Sequence, residues 1–283
     1  MLKGEFSIKI SEIKKSALRR MNDCFPQVLM IMVISLTAHL IFALAEFALL
    51  HFLDIKGDEI FSEMPSETMV ILITSVIRTF AEFLVLSPIT VGTAWWLLHC
   101  VRGENSNVGF ILICFSNMKI YFRSVVMRLF IWFIKAVVAI PLILCGYIEY
   151  ALITAFADES YRSGTYIALI ICCTVIFICI ALIYIWIVAD FSLVNFIFTM
   201  NPDDKILNII KKSVRAMKYQ KSKLIKLVCS FLGWIFTVPF VFPLFFAVPY
   251  ASLSYATAID EIIEKEIRKN TDDMFNKKTI ARK

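Results

Sequence analysis

The sequence predicts an all-α fold: a polytopic membrane protein of six transmembrane helices in three hairpins, with basic amphipathic helices at the membrane surface. Three observations predict it. Of the 283 residues, 59% are hydrophobic and only 18% are charged, against roughly a quarter charged in an ordinary soluble domain. The apolar residues are gathered into runs long enough to cross about 30 Å of hydrocarbon as helices. The 29 Lys and Arg residues are unevenly placed, with 25 of them in four segments lying between or beside those runs. This composition excludes an ordinary soluble enzyme, a disordered chain and a collagenous or low-complexity one.

Residues 1–25 form a polar start holding Lys3, Lys9, Lys14, Lys15, Arg19 and Arg20. The first span, 26–52, leads into acidic residues with no A-x-A-like cleavage site, so it reads as a retained span and not as a signal peptide. The second lies within 69–101, too long for a perpendicular helix, and must tilt or extend beyond the bilayer. The third is 125–147 and the fourth 166–188. The last apolar stretch, 224–263, contains Pro239, Pro243 and Pro249. Proline removes a backbone donor and disfavours helix before it. The stretch is therefore divided into spans 224–240 and 242–263, with Pro249 kinking the sixth. A single fifth span followed by an interfacial helix is the rival. Residues 26–263 make the transmembrane domain, and 264–283 are a charged tail.

Charge sets the expected orientation. The loop after the first span has Lys56 against Asp54, Asp58, Glu59, Glu63 and Glu67, and the loop after the third has Arg162 against Glu149, Asp158 and Glu159. The excess of Lys and Arg belongs on the cytoplasmic side, so both termini are expected there. The basic end of the tail, Lys277, Lys278, Arg282 and Lys283, favours an even number of spans.

Two basic segments share a pattern: Ile13-Lys14-Lys15-Ser16 before the first span and Ile210-Lys211-Lys212-Ser213 before the fifth. Within 203–222, a helical projection gathers Ile206, Leu207, Ile209, Ile210, Val214 and Met217 on one face. Lys205, Lys211, Lys212, Arg215 and Lys218 lie opposite. Asn201-Pro202-Asp203-Asp204 supplies the turn and the acids for its start. In the first copy Phe6, Ile10, Ile13, Ala17, Leu18 and Met21 share a face. Both read as helices lying in the inner leaflet, their basic faces on anionic lipid. Three units of surface helix plus hairpin would be related by an axis along the membrane normal.

Several blocks carry a family resemblance: the basic start Ile13 to Arg20, Pro88-Ile89-Thr90-Val91-Gly92 followed by Arg102-Gly103-Glu104, and Ser213 through Trp234 (SVRAMKYQKSKLIKLVCSFLGW) with the later Pro249-Tyr250. The chain resembles a bacterial family of multi-pass membrane proteins described only as a domain of unknown function. Family members commonly have glycine after the Met of the basic block, where this chain has Lys218-Tyr219. The resemblance implies an integral protein of the bacterial cytoplasmic membrane and brings no mechanism with it.

Ionisable groups inside spans are costly, by roughly 2.5–3.5 kcal/mol on insertion scales, and so are functional candidates by default. Arg78 and Glu82 stand i, i+4 on the second span, Lys135 lies near mid-depth in the third, and His39 and Glu46 lie in the first. Glu46, Arg78, Glu82 and Lys135 make a candidate cluster of balanced charge, either a solute or ion site or a set of ion pairs fixing helix register. Lys211, Lys212, Arg215 and Lys218 make a candidate lipid or partner face. Trp95, Trp96 and Trp186 read as an interfacial aromatic belt, and Arg102-Gly103-Glu104 as a turn with glycine at the bend. The eight cysteines, Cys24, Cys100, Cys114, Cys145, Cys172, Cys173, Cys179 and Cys229, lie in or beside apolar segments without a C-x-x-C spacing, and read as small core residues.

No phosphate loop, dinucleotide fingerprint, H-E-x-x-H or G-x-S-x-G motif is present, and with only three histidines, His39, His51 and His99, a metal site built on imidazole is not expected. The leading expectation is a non-enzymatic scaffold or accessory component without a cofactor, its partners anionic inner-leaflet lipid or another membrane protein and not nucleic acid. The rival is a small-solute transporter or channel built on Arg78, Glu82 and Lys135. An intramembrane hydrolase lacks a nucleophile–base pair.

Overall fold

The computed structural model describes residues 10–52, 65–104, 107–157, 164–237 and 241–280. Its long helices are α1 (Ile10–Phe52), α2 (Pro65–Arg102), α4 (Met118–Ala157), α5 (Gly164–Val188) and α9 (Val241–Ile280). Short helices join them: α3 (Ile113–Ser116), α6 (Val194–Met200), α7 (Ile206–Met217) and α8 (Lys221–Cys229), with 3₁₀ turns at Val108–Leu112, Ala189–Phe191 and Leu232–Thr237. No strand occurs among the described residues. Among the described residues four helical segments, in α1, α2, α4 and α5, are long and apolar enough to cross a membrane, with mean hydropathies of 2.0–3.1 in their most apolar stretches.

Length explains the architecture. At 1.5 Å per residue, α1, α2 and α4 run roughly 57–65 Å, about twice the hydrocarbon thickness. Their side chains divide accordingly. Buried residues in α1 stop at Ile31, in α2 they begin, Thr74 apart, at Ser87, and in α4 they end, Cys145 apart, at Ile131. No residue of α5 is buried, and burial resumes at Ala189 just beyond it. Each helix thus keeps one bilayer-length stretch of outward-facing Leu, Ile, Val and Phe, then enters a packed end. There Ile13, Ala17 and Met21 recur every fourth residue on α1 and meet Leu253, Ala256 and Ile259 of α9 within one hydrophobic core. Trp96, Met127, Leu193, Phe198, Ile209 and Leu227 complete it.

Two glycines fix the packed end. A Cβ on Gly92 would stand 1.9 Å from the Ile111 carbonyl oxygen, so α2 and the Val108–Leu112 turn are in backbone contact there. Gly103, at φ +81, ends α2: Gly103 N–H donates to Cys100 O at 3.1 Å and Glu104 N–H to His99 O at 3.0 Å, the paired bonds of a Schellman cap. The prolines are absorbed differently. Pro88 has no N–H for the Leu84 carbonyl, and Tyr121 of α4 donates its hydroxyl to that oxygen at 3.3 Å, re-satisfying a group that hydrocarbon cannot. Ahead of Pro26, α1 breaks at Cys24 (φ −124, ψ 16).

Among the described residues four membrane-length apolar helices are found, where six spans were expected. Within the expected fifth span, 224–240, α8 ends at Cys229, where Ser230 Oγ donates to the Leu227 carbonyl at 2.5 Å, a side-chain bond that competes with continued helix. A 3₁₀ turn follows, and the division expected at Pro239 lies outside the described residues. α9 runs through Pro249 and carries the expected sixth span, 242–263, unbroken into the tail. The two similar basic segments are placed differently: Ser16 is exposed, whereas Ser213 is fully buried and donates to the Asp190 carbonyl at 2.5 Å. Glu149, expected in a loop, lies within α4. The loop acids at 54, 58, 59, 63, 158 and 159, with Lys56, Arg162, Lys3, Phe6, Lys9, Arg282 and Lys283, lie outside the described residues, as do the side chains of Glu67, Lys277 and Lys278.

Two measurements test these contacts. Gly92→Ala forces backbone from backbone and is expected to cost at least about 3 kcal/mol, the upper range for one substitution. Gly109→Ala, whose Cβ meets Asn107 at an ordinary 3.7 Å, stays within about 0.5 kcal/mol in thermal unfolding of the detergent-solubilised protein. Tyr121→Phe is expected to cost about 1 kcal/mol with Pro88 present and nothing in a Pro88→Ala background, where the restored N–H serves Leu84.

Candidate functional site

Three places hold the polar chemistry. The first lies between the apolar halves of α1 and α2. Because these helices run antiparallel, Glu46 and His39, two turns apart on α1, face Arg78 and Glu82, one turn apart on α2. Arg78 Nη1 donates to Glu46 Oε2, and Ser75 Oγ donates to Glu46 Oε1 at 2.7 Å. Arg78 Nε stands 3.6 Å from Glu82 Oε2, and His39 Nδ1 contacts Glu82 Oε1. Both carboxylates are well covered, with 13% and 16% of their side chains exposed. The structure brings together Glu46, Arg78 and Glu82 and adds His39. It leaves Lys135 apart, with Arg128 as its influential neighbouring charge and no ion-pair partner among the described residues. The α4–α5 pair has a smaller counterpart, Thr174 Oγ1 donating to Glu149 Oε1 at 2.7 Å. Spacing alone would have admitted His39, since i, i+7 on one helix is the face that i, i+4 on its partner meets.

The second place is the basic face of α7. Lys211, Lys212, Arg215 and Lys218 are all exposed. The opposite face is where the expectation needs correction. Ile209, Ile210, Ala216 and Met217 are buried in the protein core, so protein, not the inner leaflet, covers most of the apolar stripe. Only Leu207 and Val214 of that stripe are exposed large apolar residues. Likewise Ile13, Ala17 and Met21 of the N-terminal copy lie in the core, while Leu18 is exposed. Lys212 Nζ holds Asp204 Oδ2 at 2.5 Å, and Lys218 sits 5.6 Å above the Tyr219 ring. At the start of this segment Lys119 Nζ donates to Asp203 at 2.8 Å and holds that carboxyl below the usual carboxylate range. Lys211 and Arg215 form no ion pair among the described residues.

The third place is a polar cavity of about 430 Å³ inside the packed end, lined by Arg20, Asp23, Cys24, Gln27, Trp96, Cys100, Gly103, Glu104 and Asn107. Around it, ion pairs clamp α9: Arg102 reaches Asp260 Oδ1 through Nη2 at 2.8 Å and Nε at 3.0 Å, and Lys223 reaches Glu261 at 2.9 Å. Lys221 holds Asp190 at 2.7 Å. Arg102, at the expected turn, is thus a bridge between helices. Trp96, expected in an aromatic belt, is a buried core residue, because its position on α2 falls in the overhang. Trp95 stacks on His99 at 3.7 Å, and Trp186 remains exposed with Lys221 over its ring. Sequence inspection missed this cavity, since its residues come from separate segments; the only signal was that Arg20, Gly103 and Glu104 stand within two of the resemblance blocks.

The chain belongs to the family described as protein of unknown function (DUF975), whose family model matches residues 6–265. Neither the curated proteins nor the solved structures returned a match.

The α1–α2 cluster yields a double-mutant prediction. Arg78→Met strands Glu46 and Glu82 without their cation, and removing one partner of a buried pair costs more than removing both. Arg78→Met alone should therefore lower the unfolding midpoint in detergent more than Arg78→Met combined with Glu46→Gln.

Proposed function

We propose that this protein is a non-enzymatic membrane scaffold: four spans carry a packed helical cap on the cytoplasmic face of the bacterial inner membrane, with both termini on that side. One observation carries the reading. Specific packing is concentrated at one end of the molecule, while the apolar stretches of the four helices are 0–11% buried in their most apolar windows. A transporter needs walls that enclose a solute through the bilayer; a scaffold needs anchors and a well-formed surface at one face.

The orientation rests on charge. Residues 201–226 supply eight Lys and Arg to the packed end, the sign expected at the cytoplasmic face, and an even number of spans returns both termini there. The α8–α9 segment takes the place of a fifth and sixth span. Its two arms run antiparallel, tied by Lys223–Glu261, then by Phe231 against Tyr250 at 5.4 Å and Trp234 against Phe246 at 6.4 Å. Phe246 meets Phe25 near the break of α1, which ties α9 to the packed end. Lys211, Lys212, Arg215 and Lys218 then face anionic headgroups or an acidic partner at the same surface. Each basic side chain near an anionic membrane contributes about 1 kcal/mol.

The His39–Glu46–Arg78–Glu82 cluster is what a transport reading would be built on, but its groups answer one another's charge, which suits a clasp between α1 and α2.

Replacing Lys211, Lys212, Arg215 and Lys218 with Gln should leave insertion intact. It should weaken retention of anionic lipid or an acidic partner, by up to about three decades if all four contribute fully. Unchanged co-purifying lipid and partner would overturn the surface assignment. Labelling of Lys211→Cys from outside intact cells would overturn the orientation. Solute flux in reconstituted vesicles, lost in Glu82→Gln, would put transport in place of the scaffold.

A further inference from the structure

The break in α1 and the end of α2 bring together two thiols that lie 76 positions apart in the chain. Cys100 Sγ donates to Cys24 Sγ at 2.7 Å, and Cys24 Sγ donates to the Arg20 carbonyl at 3.0 Å. The sulfurs need to close by only about 0.7 Å to reach the covalent distance of about 2.05 Å. Both thiols border the 430 Å³ polar cavity. A single water needs on the order of 10–15 Å³ of such space, so a water-sized polar oxidant has room beside them.

We propose that Cys24 and Cys100 form a dithiol site that a hydroperoxide oxidises reversibly to a disulfide bridging α1 and α2. Cys24 is the attacking sulfur, because it accepts the Cys100 S–H, a bond that favours its thiolate over the opposing effects of burial and the Asp23 carboxylate, with a smaller contribution from the Arg20 guanidinium. Its thiolate, having given its proton to water in the cavity, attacks one oxygen of hydrogen peroxide. The O–O bond breaks, Cys24 becomes a sulfenic acid, and the released hydroxide takes up a proton as water. Cys100 sulfur then attacks the Cys24 sulfur. The S–S bond forms, the S–O bond breaks, and the departing hydroxide leaves with the Cys100 proton as a second water. Two thiols give up two electrons and two hydrogens, and one peroxide becomes two waters. A small thiol reductant reverses the bridge by exchange through a mixed disulfide.

The position gives the bridge a consequence. Cys24 is where α1 departs from helical geometry, two residues before Pro26, at the passage from packed end to apolar stretch. Cys100 stands two residues before Arg102, which holds α9 through Asp260, and three before Gly103, whose turn lies against the Arg20 guanidinium. Oxidation clamps the hinge of α1 to the helix that carries α9, and reduction releases it.

The test uses the full chain in its membrane. After peroxide treatment, denaturation and alkylation, the count of free thiols is expected to fall from eight to six, with a peptide map showing Cys24 linked to Cys100 within one chain. Dithiothreitol should restore all eight. Cys24→Ala and Cys100→Ala should each abolish that bridge; if either variant fails to insert, the map of the unaltered protein decides alone. Eight thiols surviving peroxide, a bridge mapped to any other pair, or linkage only between chains would overturn the proposal.

Discussion

A helix can leave its side chains against hydrocarbon for about 30 Å and no further; beyond that length, apolar residues must find protein. α1, α2 and α4 are each about twice that long, and the rest of the molecule answers the overhang. The short helices α6, α7 and α8 and the small residues of α9, Ala256 and Ala258, fill the space around the projecting ends. Helix and turn meet at Gly92 without an intervening side chain. The cap is therefore built of the same helices as the apolar region, which makes it rigidly continuous with them except at the break around Cys24.

Polar groups follow the same division. In the apolar region the α1–α2 pair is joined by Glu46, Arg78, Glu82 and His39, and the α4–α5 pair by Glu149 and Thr174. In a medium of low dielectric these groups must satisfy one another, and doing so sets the register of each pair. At the packed end the charges have a different task. Asp260 and Glu261 of α9 reach Arg102 on α2 and Lys223 on α8, and Asp190 reaches Lys221. These pairs fix α9 against helices distant in sequence and hold acids that a sixth span would have had to carry through lipid.

Much of this was legible in the linear chain. Mean composition, the long apolar runs and the helical spacing of Arg78 and Glu82 are local properties, and a lipid-facing helix reports them directly. The Arg102-Gly103-Glu104 bend was legible too, since only glycine sits easily at positive φ. The apolar residues of the 203–222 segment could not say whether lipid or protein would cover them. Lipid and a protein core make the same demand of a side chain, so Ile209, Ile210 and Met217 look alike in either setting.

The C-terminal stretch shows the same ambiguity. Residues 224–263 are apolar enough to be counted as two spans, but α8 stops at Cys229 and α9 passes its prolines and continues into charged residues. By itself the sequence determined that the chain is helical, that it carries apolar stretches suited to a bilayer and where its positive charge accumulates, because each depends on neighbours within a turn or two. That four membrane-length helices stand among the described residues, where six spans were expected, came from the structure. Tertiary structure alone decided which apolar faces were buried in protein, that Lys135 stands apart from the other charges, and that Cys24 meets Cys100. Those outcomes depend on contacts between segments tens of residues apart, where periodicity carries no information about distance.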